Sequence, residues 1–207
     1  MPAKVNEREY RMIAEGAMEI REAEDGKQIV EGYATTFDDE YTLYSYGDYE
    51  VRESFDRHAF DETDMGDVIM QYDHQGRVFA RKSNGTLQLA ADDHGLKIRA
   101  ELSGTEIGRE LYEEIMGGYT TKMSIGFVVK SQERTEEEND GKLIVHRKIT
   151  GVKKLYDVSC VSLPANDATE ISSRSFGEGV IAEIQQEMRA RAAREEQKNR
   201  IRLLLEL

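Results

Sequence analysis

Short runs of alternating apolar and polar residues, cut at close intervals by tight-turn sequences, extend as far as Leu163, and this rhythm restricts the chain to a strand-rich fold. Residues 10–20 and 27–37 form two such runs joined by Glu24-Asp25-Gly26. Residues 67–74 form another. GTLQLAAD and GLKIRAEL flank a second hairpin signal, Asp93-His94-Gly95. Further strand candidates cover 120–133, 141–150 and 152–163, the first two joined by the acidic turn EEENDG. One internal segment breaks the rhythm. Ser103 and Glu106 form a capping-box pattern, Ile107, Leu111 and Ile115 share one helical face, and Gly117-Gly118 stops the helix.

These signals predict a mainly β (α+β) fold: an antiparallel, closed or nearly closed β-barrel with helices packed outside. Residues 178–207 read differently. They lack proline, are rich in Ala, Glu, Gln and Arg, and carry only a thin apolar stripe, so a long C-terminal helix is expected there. The expected organisation is therefore a domain over 1–177 and a helical tail over 178–207, serving for docking, dimer contact or removal.

Charge narrows the function. Lys and Arg total 28 against 41 Asp and Glu, a net charge of -13. Acidic and basic residues balance within 178–207, so the surplus lies on 1–177. A surface this acidic repels phosphate backbones, and no nucleic-acid partner is expected. Apolar runs are too short for a membrane span, and the first residues, MPAKVNEREYRM, lack the apolar stretch of a signal peptide. A single cysteine, Cys160, fits a reducing compartment. The four histidines show no ligand spacing, so no metal and no cofactor are expected.

Three segments carry candidate chemistry. In Lys122–Val129, strand alternation puts Met123, Ile125 and Phe127 on one face and Ser124 and Gly126 on the other. A hydroxyl beside a glycine leaves space for an extended peptide to approach a nucleophile; equally, such a serine satisfies local hydrogen bonds. In Leu155–Leu163, Asp157 stands in an apolar run, where an ionised carboxylate needs His or Arg as a partner unless it faces water. Cys160 falls on the opposite face and reads as an apolar filler. In Met70–Arg77, His74 ends a strand just before a turn. His58, His94 and His146 read as more exposed. A nucleophile, a base and an orienting acid are thus available, in the chain order His, Ser, Asp.

Several stretches occur together in a recognisable order: IVEGYATTFDD, the YDH strand end, ARKSNGTLQLAADDHGLKIRAEL, TEIGRELYEEIMGG, MSIGF and LYDVSCVSLPANDATEI. Over about residues 28–171 the chain resembles the prohead (procapsid) maturation proteases of tailed bacteriophages, relatives of the herpesvirus assembly proteases. The resemblance implies a herpesvirus-protease-like barrel and a serine endopeptidase, with Ser124 of MSIGF as nucleophile, His74 as general base and Asp157 as the acid. It implies substrates in the major capsid protein's scaffolding segment and in the protease itself, a possible homodimer, and action inside the immature capsid in the host bacterial cytoplasm. Gly126 is expected to open the substrate groove. The family's relatives carry arginines near the oxyanion site, where this chain has Pro164-Ala165-Asn166, so backbone N–H groups of Ala165 and Asn166 are the expected oxyanion donors. The alternatives are a non-catalytic capsid-assembly scaffold or chaperone on the same fold, and a cysteine hydrolase using Cys160.

Overall fold

The computed structural model describes residues 8–13, 18–22 and 26–161, with eight separate positions between 182 and 197. Eleven strands and one helix occur among them: β1 (Glu9–Ile13), β2 (Glu19–Glu22), β3 (Gln28–Thr36), β4 (Tyr41–Tyr46), β5 (Tyr49–Phe55), β6 (Ile69–Tyr72), β7 (Gln75–Arg81), β8 (Leu87–Ala91), β9 (Gly95–Glu101), α1 (Glu106–Met116), β10 (Lys122–Asn139) and β11 (Lys142–Val161).

Two sheets share one core. The larger has seven strands in the order β1-β10-β11-β5-β4, with β6 paired to β11 and β7 to β6; the smaller runs β2-β3-β9-β8. Val30 and Ile98 from the small sheet meet Met123, Ile125, Phe127 and Val158 from the large one, all with no exposed surface. Each large apolar side chain buried this way contributes roughly 1.5–3 kcal/mol, which makes the contact between sheets the main source of stability. Helix α1 adds Leu111 and Ile115 to the same core. Its N-cap is Thr105, whose hydroxyl accepts from the Gly108 N–H at 3.1 Å, rather than Ser103; Gly117 caps the other end.

The mainly β class agrees with the sequence rhythm, and both hairpin signals close as expected, β2 on β3 and β8 on β9. Of EEENDG only Asp140 and Gly141, both at positive φ, turn the chain from β10 to β11; Glu136–Asn139 continue β10 as paired strand. The closed barrel does not form among the described residues. Residues 41–55, which carry no clear strand signal, become β4 and β5, and β5 runs parallel to β11 along Leu143–Ile149. These strands extend the large sheet instead of closing it. The run 10–20 also divides, giving β1 to one sheet and β2 to the other. The segments 141–150 and 152–163 merge into one strand through Gly151, where β10 shifts register. The domain boundary at 177/178 lies outside the described residues, as does most of the span expected to form a C-terminal helix.

Candidate active site

The register of β10 and β11 builds the site. Ser124 lies opposite Ser159 and Gly126 opposite Asp157. With Met123, Ile125, Val158 and Cys160 turned into the core, the alternation sends Ser124, Gly126, Asp157 and Ser159 to the other face. On the far side of β11, β6 pairs in parallel, with Cys160 opposite Tyr72. The next two residues, Asp73 and His74, make the turn of the β6–β7 hairpin with φ of 48° and 59°. Positive φ at both central positions suits the strand twist but costs a residue with a Cβ, a strain that such turns usually avoid with glycine. Here it brings the imidazole back over the sheet.

Ser124, His74 and Asp157 therefore meet, although they lie far apart in sequence. His74 Nδ1 is 2.6 Å from Asp157 Oδ1, and His74 Nε2 is 2.5 Å from Ser124 Oγ. With the imidazole proton on Nδ1, that N–H donates to the carboxylate and Nε2 accepts from the serine hydroxyl. Ser159 Oγ also donates to Asp157 Oδ1, at 2.6 Å. Burial, aided by the Arg8 guanidinium and opposed by Asp73, holds His74 below its ordinary 6.5, so the ring is neutral at pH 7. The site is closed: Ser124 is 1% exposed and Asp157 0%.

Two site residues carried no clear sequence signal. Arg8, just before β1, pairs with Asp157 Oδ2, and the Tyr10 ring lies 4.4 Å from the His74 ring. Ser159 was legible in principle, since it shares Asp157's face two positions along. Gly126 departs from expectation. A Cβ there would stand 2.3 Å from Asp157 Oδ2 and 2.8 Å from Arg8 Nη2, so that space belongs to the acid and its arginine rather than to a peptide. Ala165 and Asn166 lie outside the described residues. Cys160 is fully buried in the core, where burial pushes its thiol up to about 12, the opposite of an activated nucleophile. His58 is exposed against Asp61, and His146 pairs with Glu40.

Beside the His74 hairpin, a cleft of about 480 Å³ opens between Asp73, Arg77 and Phe79 on one side and Ile107, Glu110 and Glu114 of α1 on the other. Among the described residues, no cluster of three or more His, Cys, Asp or Glu is gathered to hold a metal ion. No helix there is long and apolar enough to cross a membrane.

A hydroxyl bonded to a neutral imidazole that is itself bonded to a buried carboxylate is the arrangement serine hydrolases use. Comparison with known proteins leads to the same class. The chain belongs to the caudovirus prohead serine protease family, whose profile matches residues 16–181, and it is a serine protease of bacteriophage capsid maturation. A similar solved structure is the capsid assembly protease of bacteriophage T4, at 15% identity over 75% of this chain and 99% of that one, with a TM-score of 0.45. No curated protein sequence matches the chain.

Proposed function

We propose that this protease cleaves the scaffolding segment of the major capsid protein, and itself, inside the immature capsid in the host bacterial cytoplasm, through a Ser124-His74-Asp157 triad. The observation that carries this reading is the unbroken hydrogen-bond chain from the buried Asp157 through neutral His74 to Ser124 Oγ. As Oγ attacks the peptide carbonyl carbon, its proton passes to His74 Nε2. Asp157 fixes the Nδ1–H tautomer and stabilises the imidazolium. The same proton then goes to the departing amine, leaving an acyl-enzyme on Ser124. In the second half His74 takes a proton from water as the water oxygen attacks the acyl carbon, the bond to Ser124 Oγ breaks, and His74 returns the proton to Oγ, releasing the new acid.

Because Ser124 is 1% exposed, a peptide reaches it only after part of the site opens. The test therefore supplies assembled proheads. Intact mass is followed over time for wild type and Ser124→Ala, each packaged with capsid protein. Fragments of capsid protein and protease from wild type alone are expected. Identical, stable masses in both would overturn the reading in favour of a non-catalytic assembly module.

A further inference from the structure

Asp157 is a fully buried carboxylate with three donors, and one of them comes from outside β10, β11 and the β6–β7 turn, which carry the triad. Oδ1 takes His74 Nδ1 and Ser159 Oγ, both at 2.6 Å. Oδ2 takes a guanidinium N–H of Arg8, 149 residues away in sequence. That guanidinium is held between two aromatic faces, its carbon 5.0 Å from the Tyr10 ring centre and 4.7 Å from that of Tyr156. Position 126 keeps the contact open, since any Cβ there would collide with both Asp157 Oδ2 and the arginine. Strand β1 itself is fixed along β10, Tyr10 opposite Gly126, and is anchored by Arg11 on Glu53 at 2.6 Å. Arg8 is thus delivered from a held strand into a slot shaped for it.

We infer that Arg8 is a positioning residue of the proposed site: it holds Oδ2 so that Oδ1 aims at His74 Nδ1, while Tyr10 fixes the imidazole plane. The inference rests on the Ser124-His74-Asp157 reading. Without Arg8, Oδ2 would be a buried anionic oxygen with no donor, free to rotate toward water and take Oδ1 off the line to His74. Groups facing His74 are Asp157 on β11, Asp73 in its own hairpin, Ser124 on β10, and Arg8 and Tyr10 at β1. Arg8 opposes the imidazolium and Asp73 favours it. Removing the guanidinium lifts this repulsion, a larger effect on the ring than the loosened Asp157 contact, and so raises the pH at which the ring takes its proton.

Arg8→Met and Arg8→Lys are compared with wild type in the full chain by two readouts. The first is an NMR titration of the histidine rings in a Ser124→Ala background, with His74 assigned through His74→Gln. The second is the rate at which a fluorophosphonate labels Ser124 across pH. Arg8→Met is expected to move the His74 titration upward and to slow labelling at neutral pH by on the order of a hundredfold, with Arg8→Lys recovering most of both. A His74 titration indifferent to Arg8→Met overturns the proposal, as does a loss of thermal stability with no change in either readout. Faster labelling in Arg8→Met also overturns it and makes β1 a cover over the site. A wild-type Ser124 that never labels, beside a titration that still responds to Arg8, counts against the triad and not against Arg8's hold on Asp157.

Discussion

Two buried carboxylates, Glu53 and Asp157, each receive an arginine from the N-terminal strand region, yet they are built for different purposes. Glu53, on β5, sits between Arg11 at 2.6 Å and Arg147, with the Tyr41 hydroxyl also donating to it at 2.5 Å. Burial raises its pKa, but the two guanidiniums outweigh burial and bring the carboxyl down to about 2. The charges that touch Glu53 directly are both permanent cations, and a second carboxylate, Glu9, completes their pairing, so Glu53 stays ionised across the neutral range. Asp157 has a single permanent cation, Arg8; its other oxygen faces a ring that gains and loses a proton, and beyond that ring stands a hydroxyl. A fully paired cluster fixes strands. One with a titratable member and a nucleophile at its end can move a proton.

The sharpest way to break this contrast is to remove the proposed nucleophile. Ser124→Ala deletes an oxygen from a buried site without changing charge, so thermal stability is expected to stay near wild type while peptide cleavage falls by on the order of 10⁴–10⁶-fold. Rates followed by fragment mass, with melting measured in parallel, check both halves. A large fall in stability with a small fall in rate would make the Asp157 cluster structural, like its counterpart.

Glu53→Gln tests the opposite pole. It leaves Arg11 and Arg147 buried with only the half-buried Glu9 as counter-charge, which should cost about 3 kcal/mol and lower Tm by on the order of 10 °C. The pH dependence has a definite sign. Because the folded state holds Glu53 below its ordinary 4.5, the group contributes stability above that pH and loses it as pH falls toward about 2. The gap between wild type and Glu53→Gln in urea midpoint should therefore be full at pH 7 and close through this acid window. A gap that stays constant would show that the network does not act through its charge.

The two clusters were unequally legible in sequence. Asp157 announced itself as a carboxylate in an apolar run, and alternation put Ser124 on the face away from Met123 and Phe127. Since period-2 patterning fixes which face a side chain takes, local sequence suffices for that much. The hairpin position of His74 was also visible. What brings these residues together is register between β10 and β11 and the parallel docking of β6, which local sequence does not encode. Glu53 and the whole of β4 and β5 went unread for a related reason. Glu53 interrupts the apolar Val51 and Phe55 face of β5, and its charge finds partners only after distant strands pair. Arg8 is the extreme case: nothing around it signals a role until β1 lies against β10. The expected barrel does not close among the described residues, because the large sheet ends at β1 and β4 and neither pairs with the small sheet.

Gly126→Ala probes the Asp157 cluster more finely. The new methyl would meet Asp157 Oδ2 at 2.3 Å and the Arg8 guanidinium at 2.8–2.9 Å, so the carboxylate must swing away from His74. Cleavage or labelling should fall by on the order of a hundredfold, with the fold retained. In an Asp157→Ala background the carboxylate clash is gone and the Arg8 side chain, released from its partner, can give way, so adding Gly126→Ala should then change little. If the two losses instead add, Gly126 faces substrate directly and the groove expected from sequence is restored.

The smallest effect is expected at Cys160, one residue past Ser159 and turned the other way. The difference between the two faces of β11 is the difference between chemistry and packing. Ser159 donates to Asp157, whereas Cys160 lies among Met70, Met123 and other core side chains with its thiol held protonated by burial. Cys160→Ala removes one sulfur from that core and should cost about 1 kcal/mol of stability. Cleavage should be unchanged, and a thiol alkylating agent should leave native wild type unmodified and fully active. A rate that falls with Cys160→Ala while Tm holds would place the sulfur in the reaction, a role strand phase forbids because it turns Cys160 away from Asp157 and His74.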